Sequence, residues 1–235
     1  RSQLENWANA LDQRSSLTRR ISKLFRGAGL DGDAHLAQYF LWINEDKLLN
    51  LYTSSFREQL DATGATDPMI NFLSGLPSSV GRMDRMLALE QRFFLADHNL
   101  NYTDKMSMAE GIEARVPLLD PELVDFTARI PSGMKQKGRV GKWIFKKAME
   151  PYLPHKVIYR SKAGFGAPLR RWIRHELRDL LGDLLSEKSL KQRGIFEPKA
   201  VHKLISDNDS GRVDASYILL SMLCIEIWCR TYIDA

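Results

Sequence analysis

Apolar residues recur along this chain at helical, not alternating, intervals. Leu4, Trp7 and Leu11, then Leu17, Ile21 and Leu24, step by three or four residues, and a GAGLDG break from Gly27 to Gly32 ends the run. A second run, Leu36, Phe40, Ile43 and Lys47 to Leu51, follows, so the first sixty residues predict two or three helices. The turn formers of DATGATDPM, from Asp61 to Met69, then predict a loop within a seam over residues 61–81. From Arg82 the positions Met83, Met86, Leu87, Leu89, Phe93 and Phe94 describe an amphipathic helix running through Leu100 and Met106, until Gly111 and Pro117 stop it. Asp120 stands directly before Pro121, an N-cap followed by a proline at the first helical position, and predicts a short helix through LVDFTARI.

Further helices are predicted from Lys142 to Met149, ended by Pro151 and Pro154, and from Pro168 through Leu185. Ser186 to Arg193 is polar and reads as a turn. SYILLSMLCIEIWCRTY, from Ser216 to Tyr232, is too apolar for a surface helix and predicts substantial burial. No strand or repeat is expected. The domain reading is an N-terminal helical segment over residues 1–60, the seam over 61–81, and a helical region over 82–235.

Composition adds that 235 residues with 44% hydrophobic content suffice for a core. No apolar run reaches the roughly 18 residues that span a bilayer, and RSQLENWANALDQRS lacks the apolar stretch of a signal peptide, so a cytoplasmic location is expected and no membrane partner. Cys224 and Cys229 lie five apart in one helical run, pointing in different directions, and read as small buried hydrophobes without a mutual disulfide. His35, His98, His155, His175 and His202 are scattered, so no metal site is expected. Arg129 to Arg174 holds 13 Lys or Arg against one acid, Glu150; that surplus of 12 leaves the rest of the chain at −7 within a total of +5. Such a block is a solvated face or a surface for a polyanion.

Two segments carry chemistry. DKMSMAEGIEARVPLLD, from Asp104 to Asp120, and YRSKAGFGAPLRRW, from Tyr159 to Trp172, together resemble the synthetase domain of the glutamine-dependent asparagine synthetases. With ALEQRFFLADHNLNYT before them, the resemblance covers Met83 to Tyr232, about two thirds of the chain. The family's Ser-Gly-Gly-x-Asp-Ser pyrophosphatase loop, its acidic Gly-rich segment and its N-terminal glutaminase domain with a terminal Cys nucleophile do not occur in this sequence. The resemblance therefore implies a mainly α fold: the helical C-terminal portion of an α/β ATP-pyrophosphatase-type synthetase domain whose parallel sheet is largely absent here. It implies ATP and Mg²⁺ in the full-length enzyme and a carboxylate activated as an acyl-AMP. Ammonia from glutamine then amidates that carboxylate, which is aspartate by default or another carboxylate such as a sugar acid. The missing glutaminase and nucleotide-binding portions would be its partners, and the fragment alone is expected to be inactive.

Among individual residues, a lone loop lysine such as Lys162 reads as solvated surface. The resemblance reverses that weighting, because Arg160, Lys162 and Phe165 match a family pattern whose lysine faces the triphosphate. Arg115, in EARVP, suits a carboxylate or phosphate, or equally an ion pair to Glu113 or Asp120. Asp104 and Glu113 read as orienting groups or structural partners, Lys105 as a snorkelling cation, and Arg160 as phosphate-orienting. Met106, Ser107 and Met108 read as core or near-site packing. GRVGK from Gly138 to Lys142 fails as a phosphate loop, since Gln136 and Trp143 occupy its required positions. A rival reading, a basic helical nucleic-acid or scaffold module, explains the charge block but not DKMSMAEGIEARVPLLD, so nucleic acid is not an expected partner.

Overall fold

The computed structural model of the chain describes residues 29–60, 64–161 and 166–234, together with Thr18, Ile21 and Phe25. Thr18, Ile21 and Phe25 are helical, while the other positions of the expected first helices, and Asp61 to Thr63 of the expected loop, lie outside the described residues. The chain is mainly α and divides into two compact units, one formed by Arg1–Ile70 with Phe165–Ala235 and the other by Asn71–Gly164. Among the described residues no helix is long and apolar enough to cross a membrane.

The first unit is organised by helices Leu169–Arg174, Arg178–Leu184, Glu187–Arg193, Pro198–Asp209 and Ser216–Tyr232. Ile173, Leu181, Leu184, Leu190, Val201, Leu219, Met222 and Leu223 converge in its core; each such side chain contributes about 1.5–3 kcal/mol through removal from water. The upstream helices Glu45–Leu49 and Ser54–Gln59 are stitched to this core through an isolated bridge between Tyr52 and Phe196. There the Thr53 amide donates to the Ile195 carbonyl at 2.9 Å and the Glu197 amide to the Leu51 carbonyl at 2.8 Å. Thr53 also caps the helix it precedes, its hydroxyl accepting from the Phe56 amide at 3.2 Å.

Three sequence expectations change in this unit. Ser186–Arg193 is not a turn: Ser186 is an N-cap accepting from the Ser189 amide at 3.3 Å, and Glu187–Arg193 is a helix closed by Gly194 in the left-handed region. The helix expected from Pro168 to Leu185 is two helices, interrupted over residues 175–177, where the Leu177 amide reaches back to the Trp172 carbonyl at 2.7 Å. The terminal helix buries one face, with Ser216, Leu219, Met222, Leu223, Glu226 and Cys229 spaced three or four apart. Tyr217, Ile225, Ile227, Trp228 and Tyr232 are exposed on it. Cys229 is buried as expected, whereas Cys224 is exposed, and both are free thiols.

Glu226 is the acid of that buried face. Its Oε2 accepts from Arg193 Nε at 2.9 Å, and its Oε1 from Arg230 Nε at 2.9 Å and Ser189 Oγ at 3.1 Å. Arg193 also bonds Asp234 at 2.6 Å. Burial works to push the Glu226 carboxyl up, but the bonds from Arg193, Arg230 and Ser189 prevail and hold it below its ordinary value.

The second unit is built on one uninterrupted helical run: Arg82–Leu89 is α, Glu90–Leu100 is π and Asn101–Ala109 is α. Arg85 Nη2 donates to the Leu73 carbonyl at 2.7 Å, capping the helix Asp67–Ser74. Phe72 meets Phe93 edge to face at 5.8 Å. Lys135 Nζ bonds Asp84 Oδ1 at 2.8 Å, tying the short helix Ser132–Lys135 to the run. The expectation of no strand also changes: Gln136–Lys137 pairs antiparallel with Val140–Gly141 in a minimal hairpin. Its two-residue turn places Gly138 at φ 57, a backbone that glycine adopts without a Cβ clash.

Candidate functional site

The Asp104–Asp120 connection is shaped by two local devices. At its start the helix Asn101–Ala109 ends on Gly111 at φ 68, with the Gly111 amide donating to the Met108 carbonyl and the Ile112 amide to the Ser107 carbonyl, both at 2.9 Å. These are the two bonds of a Schellman motif, whose left-handed position favours glycine. At its end Pro117–Leu119 makes one 3₁₀ turn, and Asp120 caps the helix Pro121–Arg129 by accepting from the Leu123 amide at 3.1 Å, with Pro121 opening the helix. Between these stops the chain forms neither helix nor strand. Arg115 Nη2 donates to Glu113 Oε2 at 2.9 Å, with the side chains 82% and 63% exposed. At that exposure an ion pair contributes no more than about 1 kcal/mol, so it orients the guanidinium at little energetic cost to a ligand that takes over its bonds.

Asp104 and Lys105 lie on the outer surface of the helix Asn101–Ala109, and both are exposed. Arg160, also exposed, follows the short helix His155–Ile158 in the same unit. Among the described residues none of these three makes a side-chain hydrogen bond or ion pair. Lys162 and Phe165 lie outside the described residues. Met106, Ile112, Val116 and Leu118 of this stretch are exposed, by 63% for Met106 and Ile112, so of the two readings of Met106, core or near-site packing, the core is excluded.

The basic block is spread over both units and partly neutralised from outside itself. Lys135 pairs with Asp84, Arg170 with Asp214 at 2.6 Å and Arg171 with Glu176 at 2.9 Å. Within the block, Glu150 forms a cluster that sequence reasoning passed over. Its Oε1 accepts from Lys147 Nζ at 2.8 Å and from the Tyr159 hydroxyl at 2.7 Å. Hydrogen bonds from Lys147 first and Tyr159 second hold the Glu150 carboxyl below its ordinary value, while the bond to Glu150 raises both Tyr159 and Lys147. The available signal was that Glu150 is the one acid among 13 cations.

A cavity of about 160 Å³ in the first unit is lined by Ile173, Leu181, Leu185 and Leu219 together with Arg178, His202 and Asp209. Arg178 and Asp209 satisfy each other at 3.2 Å, and none of the candidate residues lines the hollow. Among the described residues no group of three or more His, Cys, Asp or Glu side chains could hold a metal ion.

A family model described as asparagine synthase matches residues 2–230. A candidate glutamine-hydrolyzing asparagine synthetase of Mycobacterium tuberculosis is 31% identical over 151 residues, which is 64% of this chain and 23% of that protein. Glutamine-hydrolyzing asparagine synthetase 1 of Bacillus subtilis is 28% identical over 151 residues, covering 64% of this chain and 24% of its own. An asparagine synthetase of Triphysaria versicolor is 41% identical over 70 residues, 26% of this chain and 12% of that protein. The chain thus spans about a quarter of the length of the first two relatives. No solved structure gives a significant match.

Proposed function

This chain belongs to the asparagine synthase family, and on that premise we propose that it supplies one wall of an ATP-dependent, glutamine-hydrolysing amidotransferase site. The substrate carboxylate, aspartate by the names of its relatives, attacks the α-phosphorus of ATP. The bond to the β-phosphate breaks, pyrophosphate leaves, and an acyl-AMP forms. Ammonia released from glutamine then adds to the acyl carbon and expels AMP. The observation that carries the reading is the Asp104–Asp120 connection, held between a Schellman stop and an aspartate cap, which presents Arg115 on Glu113 among exposed apolar groups.

In this scheme Lys162 lies against the phosphates and offsets the charge that builds as pyrophosphate departs. Arg115 exchanges Glu113 for a substrate carboxylate or phosphate, where its planar fork bonds in pairs. Asp104, Lys105 and Arg160 orient groups around them. The remaining residues of the site, including the nucleotide-binding loop and the glutaminase, come from outside these 235 residues, and the chain by itself is accordingly inactive.

Lys162→Ala in the full-length protein tests this. Carboxylate-dependent exchange of pyrophosphate into ATP should fall by about 10³-fold, the scale of losing one transition-state charge partner, with the thermal midpoint unchanged. Exchange retained at the wild-type rate rejects the assignment.

A further inference from the structure

One helix of the first unit carries a glycine that its own packing does not require. Gly182 stands inside the helix Arg178–Leu184, where glycine weakens a helix relative to alanine. Its backbone is outside the left-handed region, and a Cβ added to it would meet nothing within 4 Å. Neither conformation nor close approach within this unit therefore calls for the missing side chain. What Gly182 does is line the 160 Å³ cavity, beside the partly buried Ile205 and the four buried apolar residues named above.

The polar residues of the cavity are already paired. Arg178 Nη1 and Asp209 Oδ2 stand 3.2 Å apart, with side chains 63% and 29% exposed, and His202 is committed through Nε2 to the Leu185 carbonyl at 3.1 Å. An ion pair at that exposure is weak, so a ligand that takes over both partners loses little by parting them. The pair also selects. A lone anion is attracted by Arg178 and repelled by Asp209, and a lone cation meets the reverse; a zwitterion with its two charges side by side satisfies both. Volume limits its apolar part, since a cavity of about 150 Å³ admits a group of benzene size.

We propose that this cavity binds a free α-amino acid with an apolar side chain of the leucine class. The carboxylate lies on Arg178, the ammonium on Asp209, and the side chain enters beside Gly182 against Ile205. None of the residues assigned above to amide formation takes part, so the site stands or falls independently of that reading.

Equilibrium dialysis of radiolabelled L-leucine against the full-length protein measures the binding directly. L-Leucine should saturate its site. L-Alanine, three carbons shorter, should compete about 50-fold more weakly, at roughly fourfold per buried carbon, and L-tryptophan, whose indole exceeds the cavity, should not compete. 3-Methylbutylamine, which is leucine without its carboxylate, should compete about fivefold more weakly, the scale of one exposed ion pair. Arg178→Gln should weaken leucine by the same factor and 3-methylbutylamine not at all, because the amine has no group for Arg178 to hold. Gly182→Leu fills the open space with a better helix former; it should cut leucine binding about 20-fold or more at a thermal midpoint unchanged or raised. No saturable leucine binding up to about 10 mM, equal competition by alanine, or wild-type binding in Gly182→Leu overturns the site. Equal affinity for 3-methylbutanol, which has neither charge, overturns the assignment to an amino acid.

Discussion

Replacing Glu226 by Gln is the sharpest probe of what holds the first unit together. The carboxylate accepts from three side chains, Arg193 and Ser189 on one helix and Arg230 on its own, and its side chain is only 9% exposed. Glutamine keeps the shape but has one acceptor oxygen. If that oxygen stays with Ser189 and Arg230, the new NH₂ group meets Arg193 Nε across the present 2.9 Å contact, donor against donor. One charge-assisted bond of about 1.5–3 kcal/mol is lost. A fully buried pair broken on one side costs about 3–5 kcal/mol, but Arg193 keeps Asp234 at 2.6 Å and Arg230 is 42% exposed, so the expected cost is about 2–3 kcal/mol. Urea unfolding of the chain at pH 7 should show the midpoint falling by about 1 M at an unchanged slope. The pH dependence gives a second check. The folded value of Glu226 is lowered, so its stabilisation is complete above its ordinary value of 4.5 and is lost as pH falls through the folded value. The wild-type and Glu226→Gln curves should therefore converge below pH 4.5, while Asp207, which titrates alike in both proteins, cancels in the difference. A loss under about 0.5 kcal/mol at pH 7, or a difference that persists undiminished in acid, refutes the reasoning.

Two smaller changes test the stops on either side of the Arg115 connection. Asp120→Ala removes the acceptor for the Leu123 amide and should cost the helix Pro121–Arg129 about 1 kcal/mol, seen as faster hydrogen exchange at Leu123, with Asp120→Ser restoring protection. Gly111→Ala introduces a Cβ that meets nothing within 4 Å, so its cost is purely that of holding φ at 68, about 1 kcal/mol in the urea midpoint, and Gly111→Asn should recover part of it.

Local devices were legible in the sequence because their physics is local. Asp120 before Pro121 reads as a cap from two letters, and Gly111 stops its helix for a reason that belongs to glycine alone. Glu113 and Arg115 meet as one of the two pairings that the sequence left open. Periodicity failed where too few apolar residues carried it. The helix Glu187–Arg193 buries only Leu190, so no stripe could form, and its signals were the Ser186 cap and Gly194. Strands of two residues cannot show alternation, which leaves Gly138 as the single mark of the hairpin. The break near His175 carries neither glycine nor proline; it lets Ile173 and Leu181 reach one core from two helices, a tertiary demand. The same holds for Ser189 and Glu226, 37 residues apart, and for Glu150 and Tyr159, nine apart across two prolines. Charge counting could have found that last pair. An acid standing alone among 13 cations is attracted by all of them, so its place is set by whichever neighbours can reach it. Lys147 is one helical turn away and Tyr159 is returned by the Pro154 turn, and both donate to the same Glu150 oxygen.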